Sequence, residues 1–188
     1  MSFRVLIVPV EPTNDRYIQK PLIETLLGVI GKPNARVEVL SNPRITGYAD
    51  AKRLLHERVL EQYADRDLLL FLPDGDLRNR RAEFQTLEAE ARKRGARLVC
   101  CAAVPEVEAW LLAGHVEKLE LGWSEVRSHA TLKESVFERF LTLHGDARRA
   151  GGGRDLLMRT TLSNYSGLLS RCKELAELEA RLRAILAS

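Results

Sequence analysis

The sequence predicts an α/β protein: a mostly parallel four-stranded sheet flanked by helices, followed by an all-helical C-terminal extension. Three observations predict it. Short apolar runs alternate with helical patterns through the first two thirds of the chain, as in a parallel sheet covered on both faces. Beyond Gly114 the strand signals stop and only helical patterns remain. Apolar residues make up 45% and charged residues 29% of the 188, enough apolar material to bury a core rather than stay disordered. The expected division is an α/β domain over residues 1–115 and a helical extension over 116–188 packed on it.

The elements follow in order. Arg4 to Val10 is a continuous apolar run, as in a strand buried on both faces, with Pro9 removing its last residues from regular pairing. Tyr17 to Ile30 repeats Ile18, Leu22, Leu26 and Ile30 at four-residue spacing and reads as a helix. Arg36 to Leu40 alternates as a short strand, and Asp50 to Tyr63 places Leu54, Leu55, Val59 and Leu60 on one helical face. Asp67 to Leu72 is a third buried strand, stopped by Pro73-Asp74-Gly75-Asp76. Arg80 to Arg94 is a charged, exposed helix with Gly95 at its C-terminal end. Arg97 to Val104 is the fourth strand, after which Pro105 can open a helix from Glu106 to Ala113 as its first residue. In the extension, Ser124 to Ser128, Leu132 to His144 and Leu162 to the C-terminus read as helical, with Gly151–Gly153 marking a flexible break. The last helix carries an apolar stripe of Leu175, Leu178, Leu182 and Ile185, with Glu177–Arg181 and Glu179–Arg183 spaced for ion pairs.

Charge and cysteine content narrow the function classes. The 29 basic residues exceed the 26 acidic ones by +3, and 22 of the bases are arginine, the better bidentate phosphate binder. So small an excess excludes a heavily basic nucleic-acid coat and leaves room for a local patch. Cys100, Cys101 and Cys172 match neither a disulfide framework nor a zinc spacing, and read as buried thiols. His56, His115, His129 and His144 show no metal spacing. No apolar run approaches the roughly 20 residues that span a bilayer, and Met1 to Val10 lacks the basic and small-residue flanks of a secretory signal. A cytoplasmic location without membrane contact is the expectation.

In open parallel sheets, ligands bind beyond the carboxyl ends of the strands. Carboxylates stand there after three of the four apolar runs: Glu11 after the first, Asp74 and Asp76 after the third, Glu106 and Glu108 after the fourth. Each has an ordinary explanation alone. Pro-Asp-Gly is a turn signal, a strand-terminal Glu is commonly solvated, and acids in a first helical turn suit the helix dipole. Gathered at one sheet edge they would repel one another unless a cation or a proton neutralised them. Two carboxylates around a glycine suit a hard cation such as Mg²⁺, which keeps waters and phosphate oxygens as its other ligands. Arg78, Arg80 and Arg81 follow directly and could contact flanking phosphates, or could form a solvated helix face. Arg148, Arg149 and Arg154 surround the triple glycine, as a basic loop over a substrate or as an exposed linker.

A Glu ending the first strand and an Asp-x-Asp ending a later one resemble the TOPRIM domain, a Rossmann-like unit of topoisomerases, bacterial primases and nucleases of the overcoming-lysogenization-defect type. Val10-Glu11-Pro12-Thr13-Asn14-Asp15 is similar to the Glu-Gly-x-x-Asp opening of the nuclease branch. Val104-Pro105-Glu106-Val107-Glu108-Ala109-Trp110-Leu111-Leu112-Ala113 resembles a Pro-x-x-Glu-Ala-Trp-Leu-Leu segment of small bacterial TOPRIM-like proteins often encoded beside ABC-type ATPases in mobile or defence loci. The resemblance covers roughly residues 3–115. It implies catalytic roles for Glu11, Asp74 and Asp76. It implies Mg²⁺ or Mn²⁺ as cofactor, held by these three with Glu108 or Glu106 at a second position, and cleavage of nucleic acid with an ABC-type ATPase as partner. Pro12 stands where the family has Gly, which removes a backbone N–H from the place where a phosphate would approach.

Three functions are therefore expected in turn: a divalent-metal-dependent phosphodiesterase acting as a nuclease, a catalytically silent module that binds nucleic acid or a partner, and a phosphoryl-transfer enzyme with an acidic Mg²⁺ pocket. The absence of GxxxxGK[ST] excludes a P-loop kinase, and no Lys follows the fourth strand as a phosphoacceptor receiver would want. The apolar stripe of the last helix would suit a homodimer as well as a core.

Overall fold

Four buried apolar runs become the four strands of one sheet in a computed structural model that describes residues 2–187. The strands are β1 (Arg4–Val8), β2 (Arg36–Val39), β3 (Leu68–Phe71) and β4 (Leu98–Cys100). They lie in the order β2-β1-β3-β4, and every pairing is parallel. Leu70 sits between Ile7 and Val99, which is why the two central strands read as unbroken apolar runs.

Helices cover both faces. Ile7, Leu70 and Val99 point to the side taken by α1 (Pro12–Val29), while Leu6, Phe71 and Leu98 point to the other. That other face packs against two helical segments. The first is α2 (Tyr48–Leu54), which runs through a π turn at Leu55–Val59 into α3 (Leu60–Gln62); the second is α4 (Arg81–Lys93). After β4 come α5 (Glu108–Leu112), α6 (Trp123–Ser128), a π turn at Lys133–Phe137 continuing as α7 (Glu138–His144), and a 3-10 turn at Ala150–Gly153. The chain closes with α8 (Arg154–Leu162), α9 (Tyr165–Arg171) and α10 (Lys173–Ala187). Phe137, Met158, Leu175 and Leu182 of these later helices share one core with Ile7 and Leu22, so the extension completes the α1 face of the sheet. Trp110 is fully buried, and its indole Nε1 donates to Glu174 Oε1 at 3.0 Å; Arg127 pairs with the same Glu174 at 2.6 Å. The three cysteines are free and buried. No helix among the described residues is long and apolar enough to cross a membrane.

Several expectations change. Helix α1 begins at Pro12 and not at Tyr17, because Pro12 at the first helical position has the fixed φ a helix start needs. Pro105 does not open a helix: its carbonyl accepts from the N–H groups of Gly75 and Asp76, and α5 starts only at Glu108. The helical stretch expected from Leu162 onward is two helices: α8 ends at Leu162, the Asn164 side chain caps α9, and the chain breaks again at Cys172 before α10. The i,i+4 pair Glu179–Arg183 forms at 2.9 Å, but Arg181 turns away from Glu177. It reaches Glu88 with both oxygens at 2.8 Å and donates to the Cys100 carbonyl at 3.1 Å, while Glu88 accepts the Cys100 N–H at 2.8 Å. The ion pair thereby occupies backbone groups on the open edge of β4.

The triple glycine, expected as a flexible break, is an ordered turn with φ of 69°, 64° and 84°. A Cβ on Gly151 would lie 2.4 Å from the Tyr17 ring, so glycine is required there by contact as well as by φ. Gly31 also has positive φ (89°), with nothing within 4 Å of an added Cβ. Gly31→Ala should therefore lose only the left-handed penalty of about 1–2 kcal/mol. Gly151→Ala should lose clearly more, read as a larger fall in urea midpoint at unchanged slope. Equal losses would show that Tyr17 yields freely.

Candidate functional site

The strand order places a topological switch between β1 and β3: the chain leaves β1 toward β2 on one side, while β3 lies on the other. The crevice at their carboxyl ends is where such sheets hold ligands. Glu11 and Asp74 stand at this edge.

Glu11 occupies the N-cap position of α1. Its N–H donates to Asp15 Oδ2 at 3.0 Å, and its Oε1 accepts from Asn14 Nδ2 at 2.9 Å. Asp74 extends the β3–β4 pairing by a bridge to Ala103, and its Oδ1 accepts the Val107 N–H at 2.8 Å. Gly75 is needed for close approach, since a Cβ there would stand 2.5 Å from the Ala103 carbonyl oxygen. These bonds lock the loops after β3 and β4 together and set Glu108 at the start of α5, 2% exposed. Asp15, 3% exposed, completes the group from α1.

The carboxylates act on one another. Burial pushes the Asp15 carboxyl up to about 8, with the charges of Asp74, Glu108 and Glu11 adding to the shift. Burial and Asp74 push Glu108 up to about 7. Asp74 rises to about 6 through burial, opposed by the Val107 N–H and assisted by Asp76 and Glu11. Burial also raises Glu106.

Among the described residues one cation enters this acidic crevice, and it comes from the extension. Lys133, 122 residues beyond Glu11, hydrogen-bonds and ion-pairs with Glu11 Oε2 through its ammonium group and lies 3.8 Å from Glu108 Oε1. Its backbone N–H donates to Glu106 Oε2 at 2.7 Å. Burial opposes the charge on Lys133, yet its bond to Glu11 and the charges of Glu108, Glu11 and Asp15 prevail and raise its pKa.

Not every residue expected at the site lies in this group. Asp76, at φ 49°, turns its carboxylate to Arg80 at 3.1 Å, although its charge still reaches Asp74. Arg80 is committed elsewhere: its guanidinium stacks 3.6 Å above the Tyr48 ring and lies 3.7 Å from Glu83. Arg78 and Arg81 are without a side-chain partner among the described residues. Arg148 and Arg149 are paired with Asp146 and Asp155, and Arg154 folds back on the Gly151 carbonyl at 2.8 Å. Of the histidines, His115 is buried against Phe140 with Nε2 3.0 Å from the Leu157 oxygen, a packing role.

Neither Asp15 nor Lys133 has a site role assigned from the sequence, although Asp15 ends the Val10–Asp15 segment that is similar to the nuclease opening. Asp15 had a signal, since Glu11 and Asp15 at i,i+4 share one face of a helix that starts at Pro12. Lys133 had none, because only the packing of the extension brings it to the sheet edge. For a divalent cation the donor chemistry fits, with hard carboxylate oxygens whose mutual repulsion demands positive charge. The arrangement differs from a closed cage: among the described residues no group of three or more His, Cys, Asp or Glu side chains is set to hold a metal ion, and the ammonium of Lys133 stands among the carboxylates.

Two outcomes follow from the charge balance. The folded pKa of Asp15 lies above its ordinary 3.8, so its contribution to stability is complete below about pH 4 and is lost as pH rises through about 8. Asp15→Asn should match wild type at pH 4 and gain on it by more than about 1 kcal/mol at pH 9, measured by urea unfolding at both pH values. A constant difference would mean that Asp15 ionises normally. Lys133→Met should cost about 1–3 kcal/mol at pH 8 and less at pH 5, where Glu108 and Asp74 are protonated in the fold and need less counter-charge. Comparison with known protein families, with curated proteins and with solved structures finds no match to this chain.

Proposed function

We propose that the chain is a divalent-metal-dependent phosphodiesterase with a TOPRIM-like α/β domain, a nuclease that works with an ABC-type ATPase as its partner. The observation that carries the reading is the convergence of Glu11, Asp74 and Glu108 from three strand ends, joined by Asp15, into one electrostatically coupled group at the β1–β3 crevice. Glu11, Asp74 and Glu108 are not placed as a three-carboxylate metal group, and would have to draw together to hold Mg²⁺ or Mn²⁺ in exchange for Lys133. The bound ion would supply Lewis-acid stabilisation of the phosphoryl oxygens. Glu11, with its side chain 41% exposed, is the member that solvent reaches and the one suited to accept a proton from an attacking water. Asp15 is neutral below about pH 8 and supports the site by receiving the Glu11 N–H, which orients the start of α1. Asp76 and Glu106 act as positioning residues through Arg80 and the Lys133 backbone.

A catalytically silent binding module is the second reading. It is favoured by the neutralising place of Lys133 and by the commitment of Asp76 to Arg80. Cleavage assays with Mn²⁺ on supercoiled, linear and single-stranded DNA and on RNA, with and without an ATPase encoded beside the chain, separate the two. The nuclease reading expects cleavage that Asp74→Asn reduces at least about 100-fold, the scale of losing a principal electrostatic group. No difference between wild type and Asp74→Asn on any substrate would leave the binding module. Because the ammonium and a divalent ion would compete for the same oxygens, Lys133→Met should show a larger Mn²⁺-induced rise in melting temperature than wild type. An equal or smaller rise would place metal binding elsewhere.

A further inference from the structure

A groove of about 410 Å³ runs beside the carboxylate site, between the N-terminal end of α4 and helix α10, with Cys100 to Ala102 at its floor. Its volume falls in the range of sites for small molecules and single nucleotides. The groove and the carboxylate site share one loop: Asp74 leads through Asp76, paired with Arg80, into Arg78 and Arg81 of the lining. Phe84 adds an aromatic surface to the lining.

The charges of the groove can be paired off. Arg181 is taken by Glu88, Glu174 by Arg127, and Arg80 by Asp76 and Glu83. Arg78, Arg81 and Glu177 remain, none with an ion pair among the described residues. Arg81 also opens α4, a helix of 13 residues, where its N–H is already taken by Asn79 Oδ1 at 3.0 Å, so its guanidinium is what it can offer the groove. Arg80 leaves its buried Nε without a partner beside it. Two guanidiniums without an ion pair, against one such carboxylate, give the groove a local excess of positive charge inside a chain of nearly balanced charge.

We propose that this groove binds the backbone of a single-stranded nucleic acid, with Arg78 and Arg81 as phosphate contacts and Glu177 as an opposing charge that keeps affinity modest. The proposal deepens the phosphodiesterase reading by naming the substrate class, and rests on it for the chemistry but not for the binding. A phosphate chain lying on Arg78 and Arg81 would run toward the carboxylates along the loop they share. A duplex would present a rigid double backbone to a groove of nucleotide size, so the single strand is the form that enters.

Fluorescence anisotropy with labelled 12-mers of deoxythymidine and of uridine, in EDTA over a series of salt concentrations, tests the binding apart from any metal. Wild type should bind at low salt, and an unlabelled duplex should compete poorly. The double variant Arg78→Ala/Arg81→Ala should bind at least about tenfold more weakly, with a salt slope shallower by about 1.4, or 0.7 for each lost phosphate contact. Glu177→Gln should tighten binding, and Arg159→Ala, at an exposed position of α8 away from the groove, should leave it unchanged. Unaltered melting temperatures confirm that these surface variants fold. No binding by wild type at low salt, an unchanged slope in the double variant, or equal competition by duplex would overturn the proposal. Asp74→Asn run in parallel separates the two readings: binding without cleavage by any form sinks the hydrolytic reading and leaves the groove standing.

Discussion

The arrangement of the sheet edge depends on an excess of buried negative charge and on the Lys133 ammonium that answers it. Asp15 and Glu108 are nearly inaccessible to water, Asp74 is held by a backbone bond, and Glu11 sits at the mouth. Moving a carboxylate from water into such a place disfavours its charged form, and each neighbour adds to the cost. Two responses relieve it. Some of the carboxyls take protons at pH values where isolated acids would be ionised, and Lys133 supplies positive charge to Glu11 and Glu108. A divalent ion would be a third response, drawing on the same oxygens.

This constraint ties the extension to the sheet. Lys133 is held by three acids from two strand ends, through its ammonium to Glu11 and Glu108 and through its backbone N–H to Glu106. Phe137, one turn further along, belongs to the core that contains Ile7 and Leu22. Anything that displaces the ammonium therefore acts on the seating of the segment 133–144, and anything that loosens that segment frees the carboxylates. The reciprocity is thermodynamic and needs no special pathway between the two.

Much of the fold was legible along the chain. Runs such as Leu68–Phe71 are apolar at every position because the central strands are covered on both sides, and helix α10 shows its buried stripe in the spacing of Leu175, Leu178 and Leu182. The acids at the strand ends were legible for a related reason: in a parallel sheet the residue after each strand faces a common edge. What misled was local chemistry with two uses. Pro105 could start a helix or lend its carbonyl to a neighbouring loop, and the second use prevailed: the carbonyl accepts from the N–H groups of Gly75 and Asp76. Three glycines could mean freedom or crowding, and Tyr17 against Gly151 makes it crowding.

By itself the sequence determined the strand–helix alternation, the parallel sheet and the placing of Glu11, Asp74 and Glu108 after its strands, because periodicity is local, whereas the order β2-β1-β3-β4, which sets β1 against β3, came from the tertiary structure. Which acids share a site, which arginines stay free and which cation meets the carboxylates were decided only by the tertiary structure. Asp76 went to Arg80, Arg181 went to Glu88, and Lys133 arrived from 122 residues away. Electrostatic partners are chosen by distance in space, and a chain of 188 residues offers many candidates for each charge until packing selects one.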